Sequence, residues 1–131
     1  MRCGYAPAIP VVFRRQTGAV VVGFTATERG SLCRSCATAV YRRFQNRTLL
    51  LGWWAPWSFV MSFFVLFRNA RQMRRVRALP EPWTRDPSVV APQEYPEDPG
   101  PPLVRRGGFW LVALFLAAVV GSNVLIALGL Y

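Results

Sequence analysis

TLLLGWWAPWSFVMSFFVLF, Thr48 to Phe67, runs for twenty residues without a formal charge between Arg47 and Arg68. At about 1.5 Å per residue, a helix of that length reaches roughly 30 Å, the thickness of a hydrocarbon core. Residues 48–67 are therefore predicted to form a first transmembrane segment, kinked or partly interfacial. Trp53, Trp54 and Trp57 mark a headgroup boundary, where an indole ring is apolar and its N–H is wet. Pro56 admits two readings: a kink in one continuous helix, or the first residue of a new one, which would be too short to span. The spanning form is the expectation adopted.

Arginines follow at once: Arg68, Arg71, Arg74, Arg75 and Arg77. They read as a basic helical extension, residues 68–78, whose guanidinium groups reach anionic headgroups. The run offers few aromatic or base-reading side chains, so a nucleic-acid partner is disfavoured. The net charge of +10 comes from sixteen arginines against six acids, with no lysine or histidine, a bias that GC-rich codon usage would produce. Lack of histidine removes the usual proton shuttle. A chain of 131 residues also has no room for a large catalytic core. No cleavable leader is expected, because Met1 to Arg15 lacks an apolar core with a small-residue cleavage site.

Residues 79–106 form a proline-rich linker, and Pro80 to Pro102 holds eight of the eleven prolines and five of the six acids. It is predicted to be a disordered or polyproline-like tether. Its acids, including Glu94, Glu97 and Asp98, read as solvated. Residues 107–131 form the second transmembrane helix, flanked by Arg105 and Arg106, with Trp110 and Tyr131 as interface residues. Ala113, Ala117 and Gly121 recur every four residues and would allow close helix packing, with Asn123 as polar glue. A homo-oligomer through this helix is one expectation.

The N-terminal 47 residues are expected to form a small α+β head. Ile9–Arg14 and Ala19–Thr25 are β-branched runs around a turn at Arg15–Gly18, giving a hairpin over 9–27. Ala37, Val40, Tyr41 and Phe44 give an amphipathic helix over 35–47. Cys33 and Cys36 stand at its first turn and Cys3 precedes the hairpin. This order resembles a treble-clef zinc finger, in which one ligand pair precedes the hairpin and the other opens the helix. The resemblance implies one zinc ion on Cys3, Cys33 and Cys36, with the fourth ligand missing: a second N-terminal cysteine would stand one residue before Met1. A start codon placed too late, a degenerate site, or completion by Glu28 or the chain terminus would each account for that. Two other readings of the cysteines stay open: small buried core residues, and a redox dithiol activated by the helix N-terminus.

Pro7-Ala8, Arg29-Gly30, the Leu32-Cys33-Arg34-Ser35-Cys36 run, Tyr41-Arg42, Thr48-Leu49, Gly52-Trp53-Trp54 and Asn69 together resemble a family of small actinobacterial membrane proteins. Its members pair two CxxCG motifs with a Gly-Trp-Trp-Gly motif where the chain meets the membrane. Here Ala37 and Ala55 stand where that family has glycine. The resemblance implies a zinc-ribbon-like head on a membrane hairpin and carries no activity.

The expected whole is thus a treble-clef-like head, two transmembrane helices and a disordered linker, multi-pass in a bacterial cytoplasmic membrane with the head cytoplasmic. The expected role is a non-enzymatic, membrane-tethered interaction module with the lipid bilayer and an unidentified protein as partners. A membrane-bound thiol-redox protein and a channel or transporter accessory are the alternatives. Arginine counts near the hydrophobic ends favour the central loop inside, while the cysteines favour the head inside; both hold if the first segment does not cross.

Overall fold

The structure, a computed structural model, describes residues 4–19, 22–53, 56–89 and 95–129. Cys3, Trp54, Ala55, Glu94 and Tyr131 lie outside the described residues. In chain order the elements are β1 (Tyr5–Ala6), β2 (Ala8–Ala19), β3 (Val22–Cys33), α1 (Arg34–Leu51), α2 (Pro56–Arg77), β4 (Thr84–Arg85), a 3₁₀ turn (Leu103–Arg105) and α3 (Gly107–Ala127).

The hairpin is longer than its local turn signals suggest. β2 and β3 pair antiparallel from Ala8↔Cys33 to Ala19↔Val22, so Arg15–Gly18 is strand and not turn. Tertiary partners hold it there: the Gln16 N–H donates to Thr48 Oγ1 at 3.1 Å, and the Thr25 hydroxyl donates to Gln16 Oε1 at 2.5 Å. The outer edge of β2 is closed by side chains from the helices. Arg14 N–H donates to Asn69 Oδ1 at 3.0 Å, and Asn69 Nδ2 returns a bond to Arg14 O at 2.5 Å. Pro10 lies on this same edge by the period of two, at a position where its missing N–H breaks no bond to β3.

The expectation of two transmembrane helices is overturned. The uncharged stretch is divided: Thr48–Leu51 ends α1, Gly52 and Trp53 form a turn, and Pro56 opens α2. Proline suits that first helical position, where no intrahelical N–H bond is lost. Only about 18 Å of α2 precedes Arg68, too short to cross a bilayer, and the five arginines continue the same helix. Gly52 permits the reversal, since a Cβ there would lie 2.5 Å from Thr48 O. α2 then runs back along α1, with Gln45 Nε2 donating to Leu66 O at 3.3 Å. Among the described residues, one helix is long and apolar enough to cross a membrane: α3, with mean hydropathy 2.3.

The linker is also not the free tether expected. β4 pairs with β1 through Tyr5↔Arg85 and Ala6↔Thr84. Farther on, the Arg42 guanidinium donates to the carbonyls of Pro99 and Gly100, and Arg43 pairs with Glu97 at 3.1 Å. A proline-rich segment has many carbonyl acceptors and few N–H donors, and arginine supplies the donors.

The apolar core lies between the hairpin base, α1 and the C-terminal half of α2: Val11, Phe13, Leu32, Cys33, Cys36, Ala37, Val40, Tyr41, Phe44, Met73 and Val76. Leu103 packs against it. The chain then advances along α1 to Gly108, whose N–H donates to Asn46 Oδ1 at 3.3 Å. A Cβ on Gly108 would lie 2.9 Å from Asn46 O and 3.1 Å from Leu50 Cγ, so glycine sets how closely α3 approaches. Val112 and Ala113 are half-buried and everything described from Leu114 onward is exposed. α3 therefore rests on α1 by its first two turns and continues past its C-terminal end.

Candidate membrane-contact surface

Four chain segments meet at one level of the head. Asn69 of α2 bonds Arg14 of β2 and, through Nδ2, Gln45 Oε1 of α1 at 3.2 Å. The next residue on α1, Asn46, receives Gly108 at the start of α3. On one side of this level every segment is uncharged: Gln16 to Thr27 at the hairpin tip, Thr48 to Phe67 across the α1–α2 reversal, and Gly107 onward in α3. Charges resume at the level itself or just beyond it, at Arg14, Arg15, Glu28, Arg47, Arg68 and Arg106. Arg15 turns towards the core side, its guanidinium 5.7 Å from the Phe44 ring centroid.

Burial reverses across this level. On the charged side the interior is apolar, as the core shows, and the exterior carries most of the arginines, with Trp83, Tyr95 and Val104 exposed among them. At the level and on the uncharged side the buried residues are largely polar: Gln16, Gln45, Thr48, Ser58, Ser62 and Asn69. The exterior is apolar there, with Trp57 at 71% exposure, Phe64 at 65%, Phe67 at 71% and Phe24 at 61%, joined by Val22, Leu51, Val60 and Phe63. Ser62 Oγ donates to Gly52 O at 3.0 Å, so interior polar groups bond across the helix reversal. A water-facing end would be expected to invert both lists, because exposed aromatic area is unfavourable in water and buried polar groups need partners.

The chain matches no family model, no curated protein and no solved structure. Its reading rests on this geometry.

Of the interface residues singled out in the sequence, Trp57 is exposed on α2, and Trp110 is exposed on the first turn of α3. Trp53 is half-buried; its Nε1 donates to Leu49 O at 2.8 Å and its ring meets Phe63 edge-on at 5.3 Å. Arg68, Arg71, Arg74, Arg75 and Arg77 are all exposed on α2. On α3, Ala117, Gly121 and Asn123 are exposed, and Asn123 Nδ2 donates to Val119 O at 2.7 Å, so its amide is served within its own helix.

Cys33 and Cys36 are 1% and 0% exposed, within the apolar core. Cys33 caps α1 with its backbone only, and Cys36 Sγ accepts the Glu97 N–H at 3.3 Å. A structural zinc site takes four donors. Among the described residues no third His, Cys, Asp or Glu joins these two, and Cys3, the third ligand the sequence suggested, lies outside them. The treble-clef assignment is withdrawn with the two-span architecture; what remains is a hairpin and helix sharing an apolar core. Burial also keeps solvent from both sulfurs, contrary to the exposure of reactive cysteines.

Sequence reasoning missed the hairpin tip and the polar stripe of α2. Both left signals: twelve uncharged residues from Gln16 to Thr27, and Ser58, Ser62, Val65, Asn69, Met73 and Val76 at spacings of four or three.

Proposed function

We propose that this chain is a non-catalytic, single-span membrane protein whose head sits partly within the lipid, in the cytoplasmic membrane of a bacterium. α3 is the anchor; the hairpin tip and the apolar half of α2 dip beside it, and the arginine-rich remainder faces water as the interaction surface. The observation that carries this reading is the reversal of burial at the level where α3 begins. Bilayer dimensions agree: α3 extends about 32 Å and the apolar half of α2 about 18 Å.

One span also removes the conflict over orientation. All sixteen arginines precede α3, so every one falls on the same side of the span and the positive-inside rule places the head in the cytoplasm. The C-terminus then lies on the opposite side. Fusing alternative reporters after Tyr131 tests this in cells: a periplasm-dependent phosphatase is expected to be active and a cytoplasm-dependent fluorescent protein dark. The reverse pattern would overturn the orientation with the head in the cytoplasm.

A further inference from the structure

Resting on the membrane reading above, we infer that the outer face of α2 is a binding site for an anionic phospholipid, with the acyl chains along its first half and the phosphate on its second. Trp57, Val60, Phe64 and Phe67 follow one another at helical spacings of three and four, and all are exposed. Arg71 and Arg75 continue the same stripe, with Arg68 beside it. One face therefore presents about 18 Å of aromatic and aliphatic surface and then guanidinium groups. That is the order of parts along a phospholipid from tail to headgroup.

The basic part is shaped as well as charged. Arg68, Arg71, Gln72 and Arg75 line a cavity of about 240 Å³. Among the described residues no carboxylate pairs with any of these three arginines; Arg43 takes Glu28 and Glu97 instead. Their donors are thus available to an outside acceptor. Guanidinium forks match phosphate oxygens in bidentate geometry, and the amide of Gln72 adds a neutral donor. The cavity also begins at Arg68, one residue from the level marked by Asn69 and Gly108, which is where headgroups would lie if α3 spans.

A soluble phosphate compound would use the arginines but leave the aromatic half of the stripe without a partner; a phospholipid covers both. The lipid is therefore the occupant assigned.

The test uses the full chain, with Trp57 kept as its sole tryptophan and the others replaced by phenylalanine, in phosphatidylcholine vesicles with and without phosphatidylglycerol. Enrichment of phosphatidylglycerol at the protein is measured by energy transfer from Trp57 to a labelled lipid. Arg71→Gln with Arg75→Gln is compared with Arg29→Gln with Arg85→Gln, which removes the same charge elsewhere. Preference for phosphatidylglycerol is expected to fall about thirtyfold in the first variant, the loss of two surface arginines, and to change little in the second. Equal preference for both lipids in the unaltered chain, or equal losses in the two variants, overturns the lipid site and leaves the span standing, provided the protein resists alkaline extraction. Release of the protein by alkali overturns the membrane reading and the lipid site with it.

Discussion

Asn69 does at one position what a third strand would do for the edge of β2: its amide accepts from the Arg14 N–H and donates to the Arg14 carbonyl. Its Nδ2 also reaches Gln45, so one side chain ties β2, α1 and α2 together. Asn69→Leu would leave the edge of β2 and the Gln45 carbonyl group short of partners at a buried site, and is expected to cost about 3 kcal/mol. Ser58 offers the contrast, because it is fully buried and its hydroxyl has no hydrogen-bond partner among the described residues. Ser58→Ala is expected to be neutral or to stabilise by up to about 1 kcal/mol. Thermal unfolding of the full chain in detergent checks both signs. Asn69 was hard to read in advance, since RNARQMRRVR looks like a solvated basic run. Its burial follows from its place four residues from the buried Val65 and Met73, a pattern that emerges once the helix is known to start at Pro56.

Among the elements, α3 was legible from composition alone: a long uncharged segment with arginines at one end has few other stable uses. The helix that Cys33 caps and that carries Cys36, and the existence of the hairpin, were legible too. The break at Gly52 and Pro56 was visible as an alternative, but segment length favoured the continuous form. The structure prefers the break because α2, turned back, pairs its buried stripe with β2 and α1. The linker misled for a related reason: proline content signals disorder when nothing supplies donors, and here Arg42 and Arg43 do. Gly108 is the element-scale test. Gly108→Val would drive a side chain into Asn46 and Leu50 and is expected to part α3 from α1 without shortening the span. Cross-linking between cysteines placed at Leu50 and Val112 should be efficient in the parent and fall several-fold in the variant; an unchanged yield would show that glycine does not set the approach.

For the whole molecule, the central claim is that a single level divides a water-facing half with an apolar interior from a lipid-facing half with a partly polar one. Its charges could be counted from the sequence, but that separate segments change character at the same height required the hydrogen bonds of Asn69, Gln45 and Asn46. Trp57 and Trp83 lie on opposite sides of that level and are similarly exposed, at 71% and 79%. Each can be kept as the sole tryptophan of the full chain, the others replaced by phenylalanine, and its fluorescence recorded in vesicles containing acyl-chain-brominated lipids. The account predicts strong quenching of Trp57 by the brominated chains and of Trp83 by aqueous iodide. Iodide quenching of Trp57 as strong as that of Trp83, with the protein still anchored, would contradict the half-immersed head.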